Sequence, residues 1–106
     1  MIVNIVTGPL PNSLNGHTRV AAATPTARYV RVTLRIPGAT ARLIATLGHE
    51  LRHAVEIAAL PEIRSEATLA AAYRRVGIDA GRDGFFETDA AVAAGRSVAR
   101  ELAQAR

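Results

Sequence analysis

Thr40-Ala41-Arg42-Leu43-Ile44-Ala45-Thr46-Leu47-Gly48-His49-Glu50-Leu51-Arg52-His53-Ala54-Val55-Glu56-Ile57-Ala58-Ala59 is the stretch that organises the chain. It has no internal proline and is rich in alanine and leucine, which favours helix. Pro37-Gly38 breaks the chain before it, and Pro61 limits it afterwards. Leu43, Ile44, Leu47, Leu51, Ala54, Val55 and Ala58 recur at helical period and predict the face bedded in the core. His49, His53 and Glu56 fall on the opposite side. Within the helix lies His49-Glu50-x-x-His53. At this spacing both imidazoles stand on one face, one turn apart, and can hold one metal ion. Glu50, about 100° round the helix from His49, can reach a water at that ion without being a ligand.

The third ligand is the open question. Glu56 is on the correct face, but its Cα lies about 4.5 Å beyond His53 and about 10.5 Å beyond His49 along the helix axis. A straight helix leaves its carboxylate short of an ion between the histidines. Glu56 is therefore read as holding an imidazole or an arginine from behind, and as the alternative ligand. Glu87, in Phe85-Phe86-Glu87-Thr88-Asp89, is the better candidate, because it can approach from the start of the last helix. Its bland reading is a helix N-terminal acid interacting with the dipole. Asp89, Glu62 and Glu66 are lesser candidates. Tyr73 reads as a buried structural tyrosine before an oxyanion donor, and His17, beside a turn, as a surface residue.

Around this helix the chain divides simply. Ile2–Val6 reads as a buried strand, ended by Gly8-Pro9. Asn15-Gly16 signals a hairpin turn, followed by a strand over His17–Ala23. In Tyr29–Ile36 the apolar residues Val30, Val32, Leu34 and Ile36 alternate with Arg31, Thr33 and Arg35. The first third is expected to be a small antiparallel sheet. After the central helix, Ser65 caps a second helix to about Val76, with Gly77 as its stop. Asp79–Gly84 reads as a loop, and Thr88 caps a third helix to about Ala105. Gly95 in that helix would permit close packing on the central one. Strands followed by helices give an α+β class.

At 106 residues the chain holds one modest core. It has no cysteine, so disulfides and thiolate metal sites are excluded. Every basic residue is arginine, and the net charge is +4. The arginines are interspersed with acids, so an arginine-rich nucleic-acid binder using its last two helices is the lesser alternative. No stretch is long and apolar enough to span a membrane. The N-terminus lacks the basic start and cleavage pattern of a signal peptide, which leaves the location open, with the cytoplasm as the default.

The helix with His49-Glu50-x-x-His53 resembles that of the zincin metallopeptidases. The likeness covers the central helix and the preceding sheet, and implies a single zincin-like domain over residues 1–106, with the sheet in 1–36 and helices in 39–106. In that superfamily an upstream strand lines the substrate cleft, and Tyr29–Ile36 is the expected equivalent. A glycine and a third histidine are missing after His53, which argues against the metzincin branch. A distant carboxylate ligand is similar to the gluzincins, in particular very small gluzincin-like proteins. The chain is also similar to uncharacterised small bacterial proteins sharing Gly48-His49-Glu50-Leu51-x-His53-Ala54-Val55-Glu56, Tyr73-Arg74-Arg75-x-Gly77 and Glu87-Thr88-Asp89-Ala90-Ala91. The resemblance implies a Zn2+ cofactor on His49, His53 and a carboxylate, with Glu50 as general base in peptide-bond hydrolysis of a peptide or protein substrate. The alternative is a noncatalytic or latent zinc-binding interaction domain.

Overall fold

Three extended runs, the first of them rich in β-branched residues, form the sheet of the computed structural model, which describes residues 1–11, 13–36, 38–75 and 86–105. The strands are β1 (Ile2–Gly8), β2 (Gly16–Ala23) and β3 (Arg28–Arg35); the helices are α1 (Thr40–Ala59), α2 (Glu66–Arg75) and α3 (Asp89–Gln104). The expected α+β layout is present, with the two-histidine motif on the first helix. The second helix's expected end at Val76-Gly77 and the loop 79–84 lie outside the described residues.

The sheet corrects two expectations. Its strand order is β1-β3-β2, with β3 central. β2 and β3 pair antiparallel, but β1 pairs parallel to β3, with Val3 opposite Val30 and Ile5 opposite Val32. The sheet is therefore mixed rather than antiparallel throughout, and Asn15-Gly16 does not close a hairpin. The segment after β1 must instead cross to the far side of β3. Arg35 secures it, donating from Nε to the Leu14 carbonyl and from Nη2 to the Leu10 carbonyl at 2.6 Å. The second correction concerns β1, which is largely exposed, with Ile2, Ile5 and Val6 open to solvent. It is an edge strand, and α1 packs on β2 and β3.

Val30, Val32 and Leu34 face inward as their alternation predicts, while Ile36 is exposed. With Val20, Ala54, Ile57, Ile63, Leu69, Ala72, Tyr73 and Ala91 they make up the buried apolar residues. Fully burying an aliphatic side chain such as Ile57 or Ile63 contributes about 1.5–3 kcal/mol.

The expected core face of α1 is also corrected. Ile44, Leu51 and Val55 are exposed, whereas Glu50, His53, Ala54 and Ile57 are buried. The buried sector is rotated by roughly 90° from the apolar stripe. The reason is that α1 is covered on two sides, by the sheet and by α3. Small residues permit the second contact. A Cβ on Gly48 would come 2.7 Å from Val98 Cγ2, and one on Gly95 would come 3.1 Å from His49 Cβ.

The termini of the helices have specific partners. Thr88 Oγ1 accepts from the Ala91 amide at 3.1 Å and caps α3, and Ser65 Oγ accepts from the Thr68 amide at 3.1 Å before α2. At the end of α1, Arg28 Nη1 donates to the carbonyls of Ile57, Leu60 and Ile63 at 2.8, 3.1 and 3.1 Å, and Nη2 to that of Ala58 at 3.3 Å. A cation there also complements the helix dipole. Hydrogen bonds involving a charged group contribute about 1.5–3 kcal/mol. Arg28→Gln is expected to cost about 2 kcal/mol and to lower the melting temperature by roughly 8–16 °C, read by thermal unfolding. A change below about 2 °C would show that these carbonyls are equally well served by water.

Candidate metal centre

Helix α1 carries His49 and His53 one turn apart, their rings edge to face with centroids 5.2 Å apart. His49, Glu50 and His53 can each offer a ligand atom, and these atoms lie within 4.8 Å of one another, close enough to hold a metal ion. Glu87, just before α3, reaches the same point. Its Oε1 is 3.0 Å from His49 Nε2 and 3.1 Å from His53 Nε2. In a tetrahedral site with bonds of about 2.0–2.1 Å, ligand atoms stand about 3.3 Å apart, so these separations are near those of a ligand set. Glu50 Oε2 is farther from His49 Nε2, at 3.9 Å.

The protonation of His53 tests whether the residues fit a cation. His53 Nδ1 lies 3.0 Å from Glu56 Oε1. An ionised carboxylate only accepts, so Nδ1 carries the proton. In a neutral ring Nε2 then presents a lone pair, and 3.1 Å away Glu87 Oε1 presents lone pairs as well. Two acceptors facing each other at this distance require a proton or a metal ion between them. The donor set of two imidazole nitrogens and a carboxylate fits a divalent metal.

Glu56 is the hub behind His53. Its Oε1 also accepts from the Tyr73 hydroxyl at 3.1 Å, and its Oε2 accepts from Thr88 Oγ1 at 2.6 Å. Arg52 Nε stands 4.0 Å from the same Oε2. Tyr73 is buried, edge to face with Phe86 at 5.0 Å. Burial first, and then the negative charge of Glu56, raise its pKa well above the usual tyrosine value, so it remains a donor. Among the lesser ligand candidates, Glu66 accepts from the Val20 amide at 2.6 Å and Glu62 pairs with Arg75. Asp89 begins α3.

Glu50 is buried, and β2 fixes it. Thr18 Oγ1 lies 2.9 Å from Glu50 Oε1 and 3.1 Å from the Glu50 carbonyl. Burial raises the Glu50 pKa, opposed by the Thr18 hydrogen bond and by the two histidines. β2 can approach this closely because a Cβ on Gly16 would lie 2.9 Å from Glu50 Cγ and 2.6 Å from Thr46 Cγ2. The strand beside the site is therefore β2, not the expected Tyr29–Ile36, because β3 is the middle strand. Thr18 was not singled out from sequence; its one signal is a polar residue at the parity of the buried Val20.

A cavity of about 60 Å³ adjoins His53, Glu50, Tyr73 and Glu87, and His17 lines it too. His17 is half-buried, which corrects its reading as a surface residue. Strand alternation sets it opposite in parity to Thr18 and Val20, so periodicity alone misplaces it. Its pKa is lowered by burial, then by the charges of Arg19 and His53. A larger cleft of about 440 Å³ opens beside His49 and Glu50, between α1, α3 and the segment before β2.

Comparison with family models, with curated proteins and with solved structures found no match for this chain. What is shown is thus the site itself, a His49, Glu50 and His53 group able to hold a metal ion. If Glu87 is a direct ligand, Glu87→Ala is expected to weaken metal binding more than Glu56→Gln. Loss of a group behind a ligand typically costs about 10- to 100-fold in affinity. Competition titration with zinc on both variants reads the ranking, and the reverse order would assign the ligand to Glu56.

Proposed function

We propose that the protein is a zinc-dependent metallopeptidase. The observation that carries this reading is the placement of Glu50. Its carboxylate is buried, held at Oε1 by Thr18, with Oε2 3.9 Å from a histidine of the candidate metal site and the larger cleft alongside. A buried acid at a cation site is costly unless it is paired or has chemistry to perform.

His49, His53 and Glu87 would hold the zinc, as a His₂–carboxylate set that leaves room for a further group. Zinc bound there would supply Lewis acidity, polarising a carbonyl oxygen and making water ionisable at pH near 7. Glu50 Oε2 would take the proton of the water that adds to the scissile carbonyl carbon. As the C–N bond breaks, the same oxygen would return that proton to the leaving amine. Thr18 would keep the carboxylate aimed while it carries the proton, and Glu56, beside Nδ1, would hold His53 in the tautomer that leaves Nε2 free to bind a cation. Of the arginines on the last two helices, where the nucleic-acid reading places its face, Arg75 pairs with Glu62 and Arg100 donates to Ser97 Oγ.

Glu50→Gln preserves size and removes the proton acceptor. The variant is expected to keep its fold and about one zinc per chain while hydrolysis falls by roughly 100-fold or more, as for loss of a general base. Wild type and variant are compared on a peptide library beside a metal assay. Equal activity in both would point to another base or a contaminant. Zinc binding without hydrolysis by the wild type would return the noncatalytic reading.

A further inference from the structure

The larger cleft has a polarity of its own. His49, Glu50 and Glu87 line it together, and Arg96 is the one arginine that lines it among the described residues. Leu14 and Val92 also line it, with small residues that include Gly16, Ala45 and Gly95. Its volume of about 440 Å³ is that of a small-ligand site. From Val92 to Ala99 the α3 wall runs about 10 Å, the length of about three extended residues.

Arg96 is exposed and makes no ion pair among the described residues. Arg100 lies four residues on, and like charges at that spacing disfavour each other on a helix. Arg100 also donates from Nη2 to Ser97 Oγ at 3.1 Å, and it does not line the cleft. Arg96 thus lines the cleft with no ion pair among the described residues and is open to an incoming anion, although it also lines a neighbouring hollow with Asp89 and Arg100. A guanidinium matches a carboxylate with two parallel hydrogen bonds.

Building on the peptidase reading, we infer that this cleft binds a short peptide segment whose carboxylate pairs with Arg96. An apolar residue of the segment lies against Leu14 and Val92. The carboxylate is carried close in sequence to the carbonyl presented at Glu50, because Arg96 follows Gly95, where an added Cβ would come 3.1 Å from His49 Cβ. It is a chain terminus or an acidic side chain, and the two are separable by experiment.

Binding is measured by calorimetry on zinc-supplemented Glu50→Gln protein, in which hydrolysis does not intrude. Three probes are used: a short alanine–leucine peptide with a free C-terminal carboxylate, the same peptide amidated, and an amidated peptide with one internal aspartate. At least one acidic probe is expected to bind roughly 10- to 100-fold tighter than the neutral amide. Preference for the free acid alone identifies a chain terminus; preference for the aspartate peptide identifies a side chain. Arg96→Gln is expected to abolish the preference, and Arg100→Gln to retain it. Equal binding of all three probes, no binding of any, or a preference that survives in Arg96→Gln overturns the inference. Because the readout is binding, failure of the wild type to hydrolyse peptides overturns the peptidase reading and leaves this result standing.

Discussion

Three hydroxyl or imidazole donors from three parts of the chain converge on the Glu56 carboxylate. His53 comes from α1, Tyr73 from α2 and Thr88 from the cap of α3. Each donor would otherwise need its own partner in a half-buried setting. By meeting at one anion they fix how the helices assemble, and they set the His53 tautomer. Thr88 is central to this: its oxygen caps α3 while its proton goes to Glu56. The same residue pair thus positions Glu87, one residue before Thr88, against both imidazoles.

This arrangement explains why α1 turns a polar sector inward and leaves Ile44, Leu51 and Val55 in solvent. Apolar burial is non-directional and saturates quickly in a chain with so small a core. The polar groups are directional and costly to bury unpaired. Once Thr18 serves Glu50, and Glu56 serves His53, seating the motif face between β2 and α3 leaves no buried side-chain polar atom without a partner among the described residues. The helix then packs at a rotation its apolar stripe alone does not select.

The arginine composition acquires a structural account at several positions. Arg28 closes the end of α1, Arg35 ties down the crossing segment, and Arg64 donates to the Thr24 carbonyl. A planar guanidinium with five donors can serve several carbonyls at once, which a lysine cannot do in one geometry. In a small fold with an edge-exposed β1, such contacts add directional ties beside a modest core. They also orient the segment before β2 that forms one wall of the cleft.

The sequence by itself determined the elements and the motif. Alternation in Tyr29–Ile36, the caps Ser65 and Thr88, and the proline-bounded run of α1 are local signals, and local geometry suffices to read them. The four-residue spacing of His49 and His53 is likewise local, as is the axial distance that separates Glu56 from a ligand position. What only the tertiary structure decided depends on through-space neighbours. Parallel pairing of β1 with β3 follows from where the chain crosses, which the local alternation of β1 does not reveal. The choice of β2 as the strand beside Glu50, the inward turn of α1, the place of His17, and Thr18 as the partner of Glu50 are of the same kind. The approach of Glu87, 34 residues beyond His53, was legible only as a candidate. It required the close α1–α3 contact at Gly48 and Gly95, because a carboxylate finds its partners by distance in space, and sequence separation carries no such distance.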